Sequence, residues 1–369
     1  MKRVAVVGLG NAGWMLHLPA LAGLAEVEVV GGCDLDPDRR ARAATRWGVP
    51  VFDDLKRMLA EARPEVLVVA TPPAHHLPAC LQAFDAGVQV ICEKPLATTL
   101  ADGRRIVAAA DAAGCRLAVN YEFREMAIGA AVRDAVGGAR VGPLHFAHVW
   151  QAMDLPPWKE PGWRGGLSRG VLFEAGIHLV DYCLALFGER PHSVWATMST
   201  CGAREEETDA VALVTLEFSG GRLAQVTQNR LSPGDTRYFE VTADCAGATL
   251  RASFGGRARI SLGLLRSTRP HARAEFGPSG LAWLESGTRR RVLARNPREA
   301  GMVATRSLLA KTLEAFENGG EPPASGRTGC AGLETLAACY HSADTGRRVT
   351  LDEATLELLA EYRLGETPS

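Results

Sequence analysis

Near its start the chain runs from a strand into a glycine turn: Val4-Ala5-Val6-Val7-Gly8-Leu9-Gly10-Asn11-Ala12-Gly13. Four apolar residues rich in β-branched valine read as a fully buried strand of a parallel sheet. Gly8, Gly10 and Gly13 form G-x-G-x-x-G. In that pattern the first glycine permits a tight turn, the second lets a pyrophosphate approach the backbone, and the third lets the next helix pack on the strand. The N–H groups and positive dipole end at the helix start attract the pyrophosphate. Asn11 and Ala12 therefore join the three glycines as expected cofactor contacts. The pattern also requires an acidic residue roughly 20 residues on, to hold the ribose hydroxyls. The second strand, 27–30, runs into Gly31-Gly32-Cys33-Asp34, and Asp34 fills that position. Its carboxylate accepts from both hydroxyls and repels a 2′-phosphate, which favours NAD over NADP. Arg39 and Arg40 argue the opposite case but fit an exposed helix start.

Up to Asn120, apolar strands alternate with helical patterns, which reads as a doubly wound Rossmann sheet. Strands are expected at 4–7, 27–31, 51–52, 66–70, 88–92 and 117–120. Thr99 is placed to cap the helix that precedes the last of these. Ligands in such sheets bind outside the carboxyl ends of the strands. The glycine turn, Asp34, Thr71-Pro72, Glu93-Lys94-Pro95 and Asn120 all fall on that rim, so they line one crevice. After Asn120 the pattern changes. A helix at 126–136 and a strand at 144–150 lead into a loop rich in Pro and Trp, 154–170. A helical stretch at 172–187 follows. Long alternating strands at 193–200, 210–218, 222–230, 238–243 and 248–252 predict an open, mostly antiparallel sheet with one apolar face. Residues 253–300 show weak periodicity. Helices return at 303–318, 329–340 and 352–362. The division is a dinucleotide-binding domain, 1–120, and an α/β domain, 121–369.

Bulk properties narrow the function. The chain has 369 residues, 47% hydrophobic and 22% charged, with net charge -1. Such a balance offers no field for nucleic acid or an anionic membrane, so neither is an expected partner. Nine cysteines include no C-x-x-C pair, which argues for reduced thiols in a cytoplasm and against a zinc site. The basic start, Met1-Lys2-Arg3, precedes an apolar run broken at once by the glycine turn, so no export signal is expected.

The chemical candidates follow from position. Pro95 biases Lys94 away from helix, so its ammonium projects from a strand end into the crevice. There it can stabilise an alkoxide as hydride leaves. His178 can take a hydroxyl proton near neutral pH. Glu174 lies four residues earlier, on the same face of a helix, and can fix the imidazole tautomer. Lys94 and His178 stand as alternatives for the base. Glu93 is assigned to orienting backbone or cofactor. Asn120, Arg124, Trp163 and Arg164 are candidates for substrate hydroxyls, with packing the competing role for Arg124, Trp163 and Arg164. His17 reads as structural and His76 as helix surface. His145 and His148 point to opposite faces of a strand, and no metal site is expected.

These residues resemble the Gfo/Idh/MocA oxidoreductase family. The matching pieces are Gly8–Gly13, A-T-P-P-A-H-H at Ala70–His76, E-K-P at Glu93–Pro95, W-R at Trp163-Arg164, and G-I-H-L-V-D at Gly176–Asp181. The closing Tyr340–Val349 stretch matches as well. The resemblance implies a bound nicotinamide dinucleotide, sugar or cyclitol substrates, and homodimers or homotetramers built on the open sheet. It implies too that the second domain, 121–369, serves substrate binding and oligomerisation. It brings His75 near the cofactor and makes Asp181 structural. Two departures bear on substrate identity: relatives often carry Asp where this chain has Glu174, and a glycine-rich run where it has Ser168-Arg169-Gly170. The leading expectation is an NAD-dependent dehydrogenase acting on a secondary alcohol. A redox-neutral epimerase, lyase or glycosidase with transient oxidation is the enzymatic alternative. A dinucleotide-binding sensor is the non-enzymatic one, and it has no need of Lys94 or His178.

Overall fold

The computed structural model describes residues 1–155, 162–199, 209–255, 259–263, 271–275 and 280–365. The centre of the Pro- and Trp-rich loop, 156–161, lies outside them. Strands β1 (Lys2–Val7), β2 (Val27–Cys33), β3 (Val51–Phe52), β4 (Val66–Val69), β5 (Gln89–Cys92) and β6 (Leu117–Val119) form one parallel sheet, in the order β3-β2-β1-β4-β5-β6. Helices α1 (Leu18–Ala22), α2 (Pro37–Trp47), α3 (Leu55–Ala62), α4 (His76–Asp85) and α5 (Leu100–Ala112) join them. Both faces are covered. Val4 and Val6 enter one apolar cluster with Leu9, Leu18 and Leu21, while Ala5 and Val7 enter another with Leu67 and Val69. The strand order reverses between β1 and β4, and the crevice opens there.

Local chemistry sets the ends of these helices. Asp36 caps α2 by accepting from the N–H groups of Asp38 and Arg39. Asp54 caps α3 and Thr99 caps α5 in the same way, as expected of short side-chain acceptors. The first helix departs from the regular form expected. It opens as a π-helical turn, Gly13–His17, before α1. His17 is fully buried on that turn.

The rest of the chain forms helix α6 (Ala127–Ala135), strand β7 (Leu144–Ala152) and helix α7 (Ile177–Phe187). Strands β8 (Ser193–Ser199), β9 (Val211–Glu217), β10 (Leu223–Asn229), β11 (Arg237–Cys245) and β12 (Thr249–Gly255) follow. Next come β13 (Arg259–Gly263), β14 (His271–Glu275), β15 (Leu281–Ser286) and β16 (Arg289–Arg295), then helices α8 (Ala300–Asn318) and α9 (Gly326–Thr345), strand β17 (Val349–Thr350) and helix α10 (Glu353–Leu358). Nine strands make one sheet, β16-β15-β12-β11-β7-β10-β9-β8-β17, antiparallel except where β7 meets β10. Residues 253–300, weakly periodic in sequence, supply the edge hairpin β15–β16 and the separate hairpin β13–β14. Strand β16 is mostly solvent-exposed along its arginines, so no apolar face imposes an alternation.

The sheet buries Val194, Ala196, Ala212, Val214, Leu216, Ala224 and Val226 on one face. The other face leaves Trp195 (58%), Leu213 (47%), Leu223 (39%) and Phe146 (37%) exposed. The last helices return to the first sheet. Leu309, Leu313 and Phe316 of α8 share the cluster of Val4 and Val6, and Ser325 bridges to Ala118 beside β6.

The glycine turn is held by sterics as much as by ligand. At Gly8 (φ +91°) a Cβ would sit 2.5 Å from the Ala70 carbonyl, and at Gly13 it would sit 2.1 Å from the Gly8 oxygen. At Gly10 the nearest atom is an Arg39 guanidinium nitrogen at 3.5 Å. Gly13→Ala is therefore expected to lower stability by about 1–3 kcal/mol, whereas Gly10→Ala stays within about 0.5 kcal/mol. Urea unfolding of the two variants checks the difference.

Candidate active site

A cleft of about 740 Å³ follows the carboxyl ends of β1, β2 and β4, within the roughly 300–1,000 Å³ usual for small-molecule sites. Gly8, Gly10, Asn11, Ala12, Asp34, Thr71, Pro72, His75, Glu93, Lys94, Trp163 and Arg164 all line it. These cofactor candidates come from four strand ends; Gly13 does not line the cleft and packs against the Gly8 carbonyl instead. Asp34 Oδ2 accepts from the Leu9 N–H at 2.8 Å, and Oδ1 accepts from the Asp36 N–H at 2.9 Å. Arg40 donates to the carbonyls of Asp34 and Leu35, which stiffens this loop. Arg39 does more than face solvent: its Nη1 stands 3.6 Å from Asp34 Oδ2 and next to Gly10. The residues fit a dinucleotide. Gly10 presents bare backbone to the cleft, and the buried Thr71 hydroxyl has no hydrogen-bond partner among the described residues.

At the inner end stands the E-K-P turn, with a cis Lys94–Pro95 peptide. Glu93 is buried. Its Oε1 pairs with His17 Nε2 at 2.6 Å and accepts from Asn120 Nδ2 at 2.8 Å, and its Oε2 accepts from the Lys94 N–H at 3.2 Å. Burial would raise this carboxyl. The bond and charge of His17, with Lys94 and Asn120, outweigh that and hold it down at about 2. His17 is structural in this sense: it locks the turn that presents Lys94. His76, expected on the helix surface, is fully buried instead. Its Nε2 lies 2.8 Å from the Thr71 carbonyl and its Nδ1 lies 3.0 Å from that of Pro95. The ring ties two rim loops together, a role invisible to helical periodicity.

Lys94 Nζ donates to the Glu174 backbone carbonyl at 2.6 Å and lies 3.5 Å from its Oε1. Glu174 sits on a π-helical turn, Val171–Gly176, that runs into α7. Arg164 Nε donates to Oε1 at 2.9 Å, and Arg230 Nη1 donates to Oε2 at 3.1 Å. Arg164 stacks over Trp163, 4.8 Å from the ring centre. Burial opposes ionisation of Glu174, but Lys94, Arg164 and Arg230 hold its carboxyl far below the usual range. The start of this turn is held by Asp209, which accepts from the N–H groups of Val171 and Leu172 and from the Tyr340 hydroxyl.

His178, four residues after Glu174, does not bond to it, because the carboxylate goes to three cations. The imidazole Nδ1 instead faces Glu122 Oε2 at 3.6 Å. Its ring stacks on Phe123 with centroids 4.4 Å apart. Burial, and then the Lys94 charge, push the imidazole well below its ordinary value, so it stays neutral. Glu122 is pushed the other way. Burial first, and then Glu93, raise its carboxyl to about 8.

Two substrate candidates are held elsewhere. Asn120 is fully buried and turned onto Glu93. Arg124 makes a bidentate pair with Asp181, both bonds 2.7 Å, and donates to the Pro323 carbonyl. It lines a separate cleft of about 540 Å³ with Glu125, Arg133, Lys311 and Arg190, where Glu125 is in turn paired with Arg133 and Lys311. Sequence reasoning missed Glu122, Arg230 and Asp209. Glu122 lies two residues past Asn120 on the same rim, which was the available signal. Arg230 and Asp209 reach the site only through the second sheet.

A parallel sheet with a glycine-turn cleft at its rim, lined at its inner end by Glu93 and Lys94, has the form of a Rossmann dinucleotide-binding protein. A family profile described as "Oxidoreductase family, NAD-binding Rossmann fold" matches residues 2–121, and a "GFO/IDH/MocA C-terminal domain" matches residues 130–249. The chain belongs to the Gfo/Idh/MocA family of NAD(P)-dependent oxidoreductases. It is 31% identical over 351 residues to the D-apiose dehydrogenase of Paraburkholderia graminis, covering 92% of this chain and 88% of that one. It is 28% identical to the inositol 2-dehydrogenase of Rubrobacter xylanophilus, over 71% of this chain and 77% of that one. An Agrobacterium radiobacter oxidoreductase solved with NAD+, L-tartaric acid and magnesium shares the fold. Its TM-score is 0.80 at 18% identity, over 95% of this chain and 98% of that one. No described helix is long and apolar enough to cross a membrane, and the eight cysteines among the described residues are all free.

Arg124→Ala should destabilise the fold by about 3–5 kcal/mol, because it leaves Asp181 buried and unpaired, while the KM for the alcohol stays unchanged. Denaturant unfolding and steady-state kinetics separate this from a substrate contact.

Proposed function

We propose that this chain oxidises a secondary alcohol of a sugar, cyclitol or related polyol, with NAD as the preferred hydride acceptor. One observation carries the reading. The Lys94 ammonium stands at the inner end of the dinucleotide cleft, bonded to the carbonyl of Glu174 on the element that carries His178. This ties a cation of the first sheet to the element that carries a neutral imidazole, which supports the reading. Bound there, a nicotinamide dinucleotide supplies the hydride acceptor. Lys94 donates to the alcohol oxygen and stabilises the negative charge that grows on it. His178 takes the hydroxyl proton. Glu174 holds Lys94 and Arg164 in register, and Arg164 with Trp163 closes the cleft against the substrate. The names of the sugar and inositol dehydrogenases among its relatives support the polyol class.

Mixing the protein with NAD and a panel of pentoses, hexoses and cyclitols should produce the absorbance of reduced nicotinamide with at least one of them. No reduction across the panel overturns the reading. Lys94→Ala and His178→Ala should each lower turnover by roughly 10²-fold or more with dinucleotide affinity nearly intact, as titration calorimetry reads it.

NAD preference rests on the carboxylates of Asp34, Asp36, Asp53 and Asp54 around one end of the cleft, where Arg39 lines the wall and Arg40 is taken up by the carbonyls of Asp34 and Leu35. Asp34→Ala should weaken NAD binding by about 10-fold or more, the loss of its charge-assisted hydrogen bonds to the ribose hydroxyls. NADP binding more tightly than NAD to the native protein defeats this assignment. The exposed apolar face of the nine-stranded sheet supports a homo-oligomer in which a second copy covers Trp195, Leu213 and Leu223. The scattered thiols support a reducing, cytoplasmic setting.

A further inference from the structure

Among the buried polar atoms that find no hydrogen-bond partner in the described residues are Glu122 Oε2 and His178 Nδ1, and these two face each other at 3.6 Å. Buried polar atoms are almost always partnered, and each exception asks for an explanation. Hydrogen bonds between catalytic groups are commonly long in ligand-free sites and tighten when substrate binds. The geometry points to one account of both atoms, resting on the polyol dehydrogenase reading above: we propose that Glu122 is the positioning residue for His178, sharing a proton with Nδ1 so that Nε2 becomes the base that takes the substrate proton.

The surroundings hold the ring to this use. Phe123 stacks flat on the imidazole, and Tyr238 and Phe239 pack against Phe123. The ring has little freedom to turn Nδ1 elsewhere. About 7% of the His178 side chain remains exposed, none of it at Nδ1. Glu174, the carboxylate that sequence spacing pairs with His178, is committed to Lys94, Arg164 and Arg230. The charged and titratable groups around the pair are Glu93 and Lys94 from the E-K-P turn, Glu174 from the π-helical turn and Tyr238 from β11. Glu93 and Glu174 both oppose a further negative charge on Glu122, and Lys94 favours it.

The protons balance as follows. With two protons on the pair, neutral Glu122 donates to Nδ1, the imidazole proton sits on Nε2, and there is no base. Loss of one proton leaves the Glu122 carboxylate accepting from Nδ1–H, with the Nε2 lone pair free. The alcohol proton then passes to Nε2, the C–H electron pair leaves as hydride to the nicotinamide dinucleotide, and the imidazolium is held by the Glu122 carboxylate. The two groups titrate as a unit, and burial lifts Glu122 to about 8. Alcohol oxidation therefore rises with pH through that region, and the reverse reduction falls.

The test uses the full-length protein labelled with 15N-histidine, with His178→Ala to assign the signal. In the native protein the His178 ring nitrogens should switch tautomer with a midpoint near 8, and the kcat for alcohol oxidation should rise over the same range. In Glu122→Gln both changes should vanish near that pH, and kcat above it should fall about tenfold or more, a share of the roughly 10²–10⁴-fold that positioned proton transfer contributes. Glu122→Asp should restore part of the titration. Gln keeps the shape and removes an ionisation that burial opposes, so its melting temperature should match that of the native protein. A tautomer titration and pH profile left unchanged in Glu122→Gln overturn the proposal, as does failure of that variant to fold. The tautomer measurement needs no substrate. A protein that reduces no NAD with any polyol would defeat the functional reading while this measurement still judged the pair.

Discussion

The carboxylate of Glu174, held by Lys94, Arg164 and Arg230, is the contact on which the rest of the site depends. Each cation comes from a different part of the chain: a strand end of the first sheet, the Pro- and Trp-rich loop, and the end of β10. Buried charges are stable only when paired and hydrogen-bonded. One carboxylate satisfies all three here, and its backbone carbonyl takes the Lys94 ammonium as well. Remove that carboxylate and three cations would face one another across a partly dry site. The same contact ties the rim of the first sheet to the turn that runs into α7.

Three glutamates lie within this small region and their environments drive them apart. Glu93, beside His17, Asn120 and Lys94, is held ionised. Glu174, beside three cations, is held ionised more firmly still. Among the described residues no lysine or arginine is bonded to Glu122, and burial beside the other two glutamates leaves it neutral at physiological pH. Environments that separate the pKa values of like groups are how one site divides structural from proton-handling work. Glu93 and Glu174 have the ion-paired, structural character, and Glu122 alone stays within reach of a proton exchange near neutral pH.

How much of this was legible in the sequence depends on the range of the interaction. The glycine turn, Asp34 and the E-K-P turn are local patterns with local physical causes, and all three line the cleft as expected. The caps at Asp36 and Thr99 are equally local. The pairing of Glu174 with His178 was an argument from helical spacing, and it gave way to Coulomb forces from residues 80 and 56 positions away. Arg124 offered the right donors for a sugar, but Asp181 on a neighbouring helix takes them. Asn120 is turned onto Glu93 for the same reason, since a buried carboxylate gathers every donor near it. The strands past residue 253 were hard to read because an exposed arginine-rich edge carries no alternation.

The sequence by itself determined the parallel sheet, the dinucleotide cleft at its rim, the open second sheet and the family, because buried strands, glycine turns and alternating faces follow from neighbours within a few residues. Only the tertiary structure decided which carboxylate meets the Lys94 ammonium and which the His178 imidazole. Glu122 and His178 are brought face to face by the packing of Phe123 against α7, and Arg230 reaches Glu174 from the far sheet. Electrostatic partners are chosen by distance and burial in space, and chain position records neither.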